Sequence, residues 1–386
     1  MPDGPLARWL RHPGATEGRW LHHLVRALAA QEQHAALAAG TFTALAVTVL
    51  LARRAARLAA ARRGCWLHID PPAQPPADGG IALWRQLAPL LSSRGTLAGT
   101  RPPVALEWVA DAGRLRVGLW CSRTVGLGAV TEAVQTAWPG AQLTASDPPA
   151  LLPGRSARPA RRSSCARVRL ALPAWHPFGN TEPSATGRGE AGAGDPLRGL
   201  LTALASAPAA GRAVLQLLAQ PATGRAQRHA RRAALALRTG TPLRSTPLSW
   251  LRPSPATHPS SGQPVDPVAL ADARAITAKL TDAPLFHVEV RVAVITPTGR
   301  GGRRARTAWL RHVAGALGLY SGRQRLLLTR TRRARRAINY RQPARGFLTS
   351  LHEIAALAHL PAEPSRYGMT LAAARAVAAP ADLADA

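Results

Sequence analysis

Lysine is almost absent from this chain. Of 386 residues, 50 are Lys or Arg, and Lys279 is the only lysine, leaving 49 arginines. A phosphate-binding P-loop needs G-x-x-x-x-G-K-[ST], because its lysine reaches the β- and γ-phosphates. Lys279 lies in Ile276-Thr277-Ala278-Lys279-Leu280 with no glycine loop around it, so no ATPase site of that kind is present. Cysteine is scarce too: Cys65, Cys121 and Cys165 are odd in number and widely spaced. That pattern offers neither a disulfide framework nor a zinc site, and it fits a reducing compartment. With only 4 Phe and 3 Tyr, cores must be built mainly from alanine, leucine and valine. No H-E-x-x-H, Ser-His-Asp or paired-carboxylate pattern stands out, so the expectation is a non-enzyme with no cofactor and no metal.

Carboxylates are few as well. Against 20 acidic residues the arginines leave a net charge of +30, where a small domain usually carries about 2–8. A polyanionic neighbour, nucleic acid or an anionic lipid face, is the first expectation. Alanine and arginine together also carry the mark of a GC-rich coding bias, so a share of the arginines is expected to be solvated surface only.

Residues 35–52, AALAAGTFTALAVTVLLA, hold no charge over 18 residues. As a helix they would span roughly 27 Å at about 1.5 Å per residue. Arg53, Arg54, Arg57, Arg62 and Arg63 follow at once. The pattern predicts an extracytoplasmic segment 1–34, a transmembrane helix 35–52 and a basic juxtamembrane segment 53–64. By the positive-inside rule those five arginines orient a single-pass protein in the cell membrane with its C-terminal region cytoplasmic. A cleaved signal peptide fits worse, since arginines fill the place of the small residues a cleavage site needs.

Beyond residue 64 the hydrophobic periods alternate between about 2 and 3.6. Cys65–Ile69 reads as a strand, Ile81–Leu91 as a helix, and Val104–Val109 and Leu115–Trp120 as a hairpin around Asp111-Ala112-Gly113. Val125–Trp138 is helical and Ala141–Thr144 a closing strand. This βαββαβ order is that of a ferredoxin-like unit over 65–145. After a Pro/Arg/Ser linker at 146–162, a second α+β unit spans 163–330. It carries an extra helix at Gln227–Leu237 and a Pro/Ser/Thr/Arg insertion at 239–264 that reads as disordered. Residues 331–386 form a basic segment and a helical C-terminal region. The fold class expected is therefore α+β: an N-terminal transmembrane helix followed by one or two ferredoxin-like units.

The densest charge lies at Arg330-Thr331-Arg332-Arg333-Ala334-Arg335-Arg336. Guanidinium forks match phosphate, and each phosphate contact releases counterions. Arg303, Arg304 and Arg306 stand nearby, after the glycine-rich Thr298–Arg303 loop. These eight arginines are the candidate phosphate-binding residues. Glu107 and Glu289 fall on the polar phase of their strands and read as structural.

Two stretches resemble a known family. Phe347–Pro361, FLTSLHEIAALAHLP, is similar to an "L-S-x-x-E-L-A-x-L-x-H-L-P" element. That element precedes the nucleotide-binding core of the membrane-anchored VirD4/TraG-like coupling ATPases of conjugative DNA transfer and type IV secretion. Trp66-Leu67-His68-Ile69, the following Pro71-Pro72, and Trp138-Pro139-Gly140-Ala141 resemble the region after the membrane span in the same proteins. The resemblance implies the front half of such a protein, without its motor. It further implies a non-catalytic, membrane-anchored component of a DNA-transfer apparatus, whose basic cytoplasmic module contacts DNA or partner subunits, a separate ATPase among them. The alternative is a structural or regulatory membrane protein whose arginines face anionic lipid or protein, with no DNA role.

Overall fold

The computed structural model describes residues 39–52, 55, 59, 64–92, 102–153, 161–179, 195–208, 211–240, 266–331, 334–343 and 346–373. The chain separates into two compact parts, Met1–Leu58 and Ala59–Ala386. In the first, residues 39–52 are helical. Their apolar side chains, among them Phe42, Leu45, Val49 and Leu50, are exposed, and Thr43 and Thr48 donate back to the Ala39 and Ala44 carbonyls.

The expected transmembrane helix, and with it the single-pass arrangement in the cell membrane, is corrected here. No helix among the described residues is long and apolar enough to cross a membrane. The uncharged run 35–52 is 18 residues, short of the about 20 a span usually needs, and glycine, three threonines and four alanines dilute the hydropathy of residues 39–52.

In the second part the chain runs β1 (Cys65–Asp70), α1 (Gly79–Ser92), β2 (Val104–Asp111), β3 (Arg114–Cys121), α2 (Leu127–Ala137) and β4 (Gln142–Ser146). The succession then repeats as β5 (Arg161–Leu170), α3 (Pro196–Ala205), β6 (Arg212–Pro221), β7 (Phe286–Pro297), α6 (Arg300–Leu317) and β8 (Leu326–Arg330). A helix pair, α4 (Gly224–Thr239) and α5 (Pro267–Thr281), is inserted between β6 and β7. The C-terminal region adds α7 (Ala334–Asn339), β9 (Phe347–Thr349) and α8 (Leu351–Leu357).

The nine strands among the described residues share one sheet, in the order β4-β1-β3-β2-β6-β7-β5-β8, with β9 paired to β7. Every pairing is antiparallel. Read inward from its outer edge, each half therefore has its strands in the order 4-1-3-2. The two halves share this sheet, joined where β2 pairs β6 over the whole of Val104–Asp111. β5 also begins at Arg161, so the chain already reads as strand inside what was expected to be linker.

Local chemistry explains the elements. Ala112 and Gly113, both at positive φ (50° and 77°), close the β2–β3 hairpin with the backbone a two-residue turn requires. Helix α1 buries Leu83, Trp84, Leu87, Ala88 and Leu91, and α2 buries Val130, Ala133, Val134 and Ala137, each at helical spacing. These helices, with α3, α6 and α8, pack a single core against one face of the sheet. The other face is covered by chain segments around Leu151-Leu152 and Ile338–Arg341, which pack on Val109, Val214 and Ile295 and on Trp66 and Trp120.

Candidate nucleic-acid interface

The face opposite the main helical layer carries a row of charge where apolar residues would be expected. Glu107 in β2, Gln216 in β6 and Arg291 in β7 are successive cross-strand neighbours. Arg341 donates Nε and Nη2 to the two Glu107 carboxylate oxygens, both at 2.9 Å. Arg291 does the same to Glu289, at 2.9 and 2.8 Å. Gln216 joins the pairs, giving Nε2 to Glu107 at 2.8 Å and accepting Arg291 Nη1 at 3.2 Å. All five side chains are buried, and such pairs persist only when the leftover donors are satisfied. Here they are: Arg291 reaches the Ala337 and Gln342 carbonyls, and Gln216 that of Ile338. Arg341 reaches the Asn339 and Pro149 carbonyls. The network latches α7 and the turn after it onto the sheet. Arg341 holds φ at +46° to make these bonds, a strained geometry for a residue with a β-carbon.

This latch divides the sequence cluster 330–336. Arg330 ends β8, exposed, and its Nη2 donates to Thr307 Oγ1 of α6 at 3.3 Å on the helical side. The chain then crosses to the other face, where α7 carries Arg335 and Arg336 in its backbone. Arg332 and Arg333 lie outside the described residues, as do Arg53, Arg54, Arg57, Arg62 and Arg63, segment 1–34 and all but the first two residues of the 239–264 insertion.

A second arginine cluster forms where β5, β8 and α6 meet. Arg161 and Arg162 pair with Pro297 and Thr296 at the end of β7, two to three residues before α6 begins. Arg300, Arg303 and Arg304 project from the first turns of α6 and are exposed. Arg306 differs: it is buried, donating to Ser164 and Thr296 hydroxyls. Burial, and after it the Arg162 guanidinium, lower its pKa from the ordinary arginine value. It is a structural tie between α6 and the sheet, not a phosphate ligand.

The electrostatics of this corner are unfavourable to the fold. The N-terminus of a helix bears about half a positive charge, so cations there cost roughly 0.3–1 kcal/mol each. Helix α6 has no acidic residue in its first turn and no side-chain cap at Gly299. Among the described residues no carboxylate pairs with Arg161, Arg162, Arg300, Arg303, Arg304 or Arg330. Gly302 is required by close packing, because a β-carbon there would lie 2.2 Å from the Pro297 carbonyl oxygen.

Helix α4 falls where the sequence places an extra helix, Gln227–Leu237, but its arginines were not among the candidate phosphate-binding residues. Its 16 residues contain Arg225, Arg228, Arg231, Arg232 and Arg238 and no carboxylate, and all five arginines are exposed. Ala230, Ala233 and Ala234 form its narrow buried stripe. The signal was in the chain, as like charges repeated at spacings of three and four, which oppose an isolated helix.

The lone lysine is not at a surface. Lys279 and Glu353 pair at 2.9 Å with side chains 1% and 0% exposed. Lys279 Nζ also donates to the Ala174 and His176 carbonyls, and Glu353 accepts from the Phe178 and Ser350 amides. Burial lowers the lysine pKa and raises that of the glutamate, each opposed by its partner. Glu353 closes a capping box with Ser350 at the start of α8. Trp138 is fully buried and packs directly over Gly79, while Gly140 turns at φ 84°. The glutamate and the W-P-G turn that carry the family resemblance are thus structural residues of this fold. No group of His, Cys, Asp and Glu able to hold a metal is found among the described residues.

Searches with the whole chain return no matching family model and no match among curated proteins.

Proposed function

We propose that this chain is a non-catalytic DNA-contacting component of a conjugation-like transfer apparatus, working beside a separate ATPase. The observation that carries the reading is the corner at the start of α6. There Arg162, Arg300, Arg303 and Arg304 lie about the first turns of α6, Arg330 reaches Thr307 further along it, and among the described residues no carboxylate pairs with them. Such a cluster opposes folding by itself, and phosphates relieve it through charge-assisted hydrogen bonds. The five arginines of α4 offer a second run of phosphate contacts. The Glu107–Arg341 latch holds the backbone segment that includes residues 335 and 336 on the sheet. The resemblance around residues 347–361 supplies the biological setting.

The test is fluorescence anisotropy of the full chain with a labelled DNA strand across a salt series. Affinity should fall steeply with salt, the slope counting the phosphates neutralised. Changing Arg300, Arg303, Arg304 and Arg330 together to Ala should flatten that slope by roughly 3 units, at ~0.7–0.9 per lost contact. No binding at about 50 mM salt, or a slope the variant leaves unchanged, refutes the proposal.

A further inference from the structure

A cavity of about 210 Å³ opens on the face that carries α7, beside the junction of the two halves. Its floor is sheet: Trp66 of β1, Arg116 of β3, Val109 of β2 and Arg212 of β6. Its wall is the loop Pro149-Ala150-Leu151, with Ser146 at one end. The wall is fixed, because Arg341 Nη2 donates to the Pro149 carbonyl at 3.1 Å and Asn339 exchanges two hydrogen bonds with the Leu152 backbone.

Two polar groups around the cavity are largely uncommitted, and Trp66, only 7% exposed, packs the nitrogen-bearing edge of its indole over Gly118. Ser146 Oγ donates only at 3.4 Å, to the Trp66 and Asp147 carbonyls, which leaves its lone pairs available. Arg116 and Arg212 share one carboxylate: Arg212 holds Asp111 at 2.6 Å, while Arg116 approaches it only to 3.9 Å. Arg116 therefore brings a guanidinium whose charge and donors are largely uncommitted.

We infer that this cavity is a binding site for one pyrimidine nucleotide, with the base inside and the 5′-phosphate at the mouth on Arg116 and Arg212. Size supports the base, since an apolar cavity of about 150 Å³ holds benzene. The apolar wall and the Trp66 indole suit a flat ring. The Trp66 ring supplies apolar surface, Ser146 Oγ accepts the ring N–H, and the uncommitted guanidinium meets the phosphate. The shared chemistry is a nucleobase carrying a 5′-phosphate, whether free or one unit of a single strand. The site goes beyond the arginine corner, because a mononucleotide can fill it with no strand lying on α6.

Isothermal titration of the full chain with thymidine 5′-monophosphate, thymidine and ribose 5-phosphate tests this. The monophosphate should bind one-to-one and saturably. Thymidine should bind more weakly, and ribose 5-phosphate should fail to saturate. Arg116→Ala, at a half-exposed side chain, should weaken the monophosphate roughly tenfold or more, as expected for a lost charge-assisted bond, and leave thymidine unchanged. Ala150→Trp, on the exposed loop, should block both. Competition by an oligothymidylate marks a strand as the source, and its absence marks the free nucleotide; both support the site. The quadruple arginine variant of α6 and β8 should keep monophosphate binding, so loss of strand binding there refutes the corner alone. No saturable binding by the wild-type chain overturns the site. So does ribose 5-phosphate binding as tightly as the nucleotide, or an Ala150→Trp variant that binds normally.

Discussion

Replacing Lys279 by Met would leave Glu353 alone in the core. The two side chains are similar in length, so little cavity is created, and the change is electrostatic. Glu353 keeps its two amide donors from Phe178 and Ser350 but loses the cation 2.9 Å away. Removing one member of a fully buried pair costs about 3–5 kcal/mol. The loss should depend on pH in a definite sense. Burial is the largest influence on Glu353 and raises its pKa, while Lys279 opposes the rise. Without the lysine the folded-state pKa moves further above the unfolded value of about 4.3. A group whose folded pKa is raised contributes stability below its unfolded pKa and loses it as pH rises through the folded value. The variant should therefore be most impaired at pH 8 and recover toward pH 5, where Glu353 takes up a proton. Urea unfolding followed by circular dichroism at both pH values measures this. The double variant Lys279→Met/Glu353→Gln should be more stable at pH 8 than the sum of the single changes, by about 0.5–3 kcal/mol. A Lys279→Met deficit below about 1 kcal/mol at both pH values would show that the pair does not carry the charge assigned to it.

Glu107→Gln should unfasten α7, since Arg341 would be left as a buried, unpaired cation at a cost of about 3–5 kcal/mol. Amide hydrogen exchange across residues 334–342 should rise more than exchange in β6, and equal protection in variant and wild type would contradict the latch. The cysteines should react in order of burial. Cys65 is half-buried and alkylates first, whereas Cys121 faces it across the β1–β3 ladder with its thiol pushed up to about 12 by burial and by Cys65. Peptide mass spectrometry after brief alkylation at pH 8 should find Cys65 labelled and Cys121 intact, and equal labelling would refute the assignment.

Much of the secondary structure was legible because each element carries its own period. The hairpin at Ala112-Gly113 and the spacing of Leu83, Leu87 and Leu90 are local signals. Side-chain partners were not legible. Nothing near Lys279 points to Glu353, 74 positions away by residue number, and nothing in the 330–336 run shows that the chain crosses the sheet between Arg330 and α7. The apolar run at 35–52 misled because absence of charge was weighed above hydropathy and length. Helix α4 was missed as a basic surface because its arginines are spread through a helix instead of standing side by side. The polar phase of Glu107 and Glu289 was read as structural, but their partners Arg341 and Arg291 appeared only when the strands were assembled.

The pairing of β2 with β6 also bears on solubility. Cut apart in the 154–160 stretch, each half would end in a long, nearly all-buried strand, eight residues in β2 and ten in β6, its ladder groups open to any passing chain. Strands of that kind are templates for intermolecular pairing. Fusion turns each half into the other's protective cover. The rims left over are β4 and β8, five residues each and largely polar or exposed. A ribosome that has released only the first half would hold an adhesive fragment until β6 emerges, which makes the second half a built-in chaperone for the first.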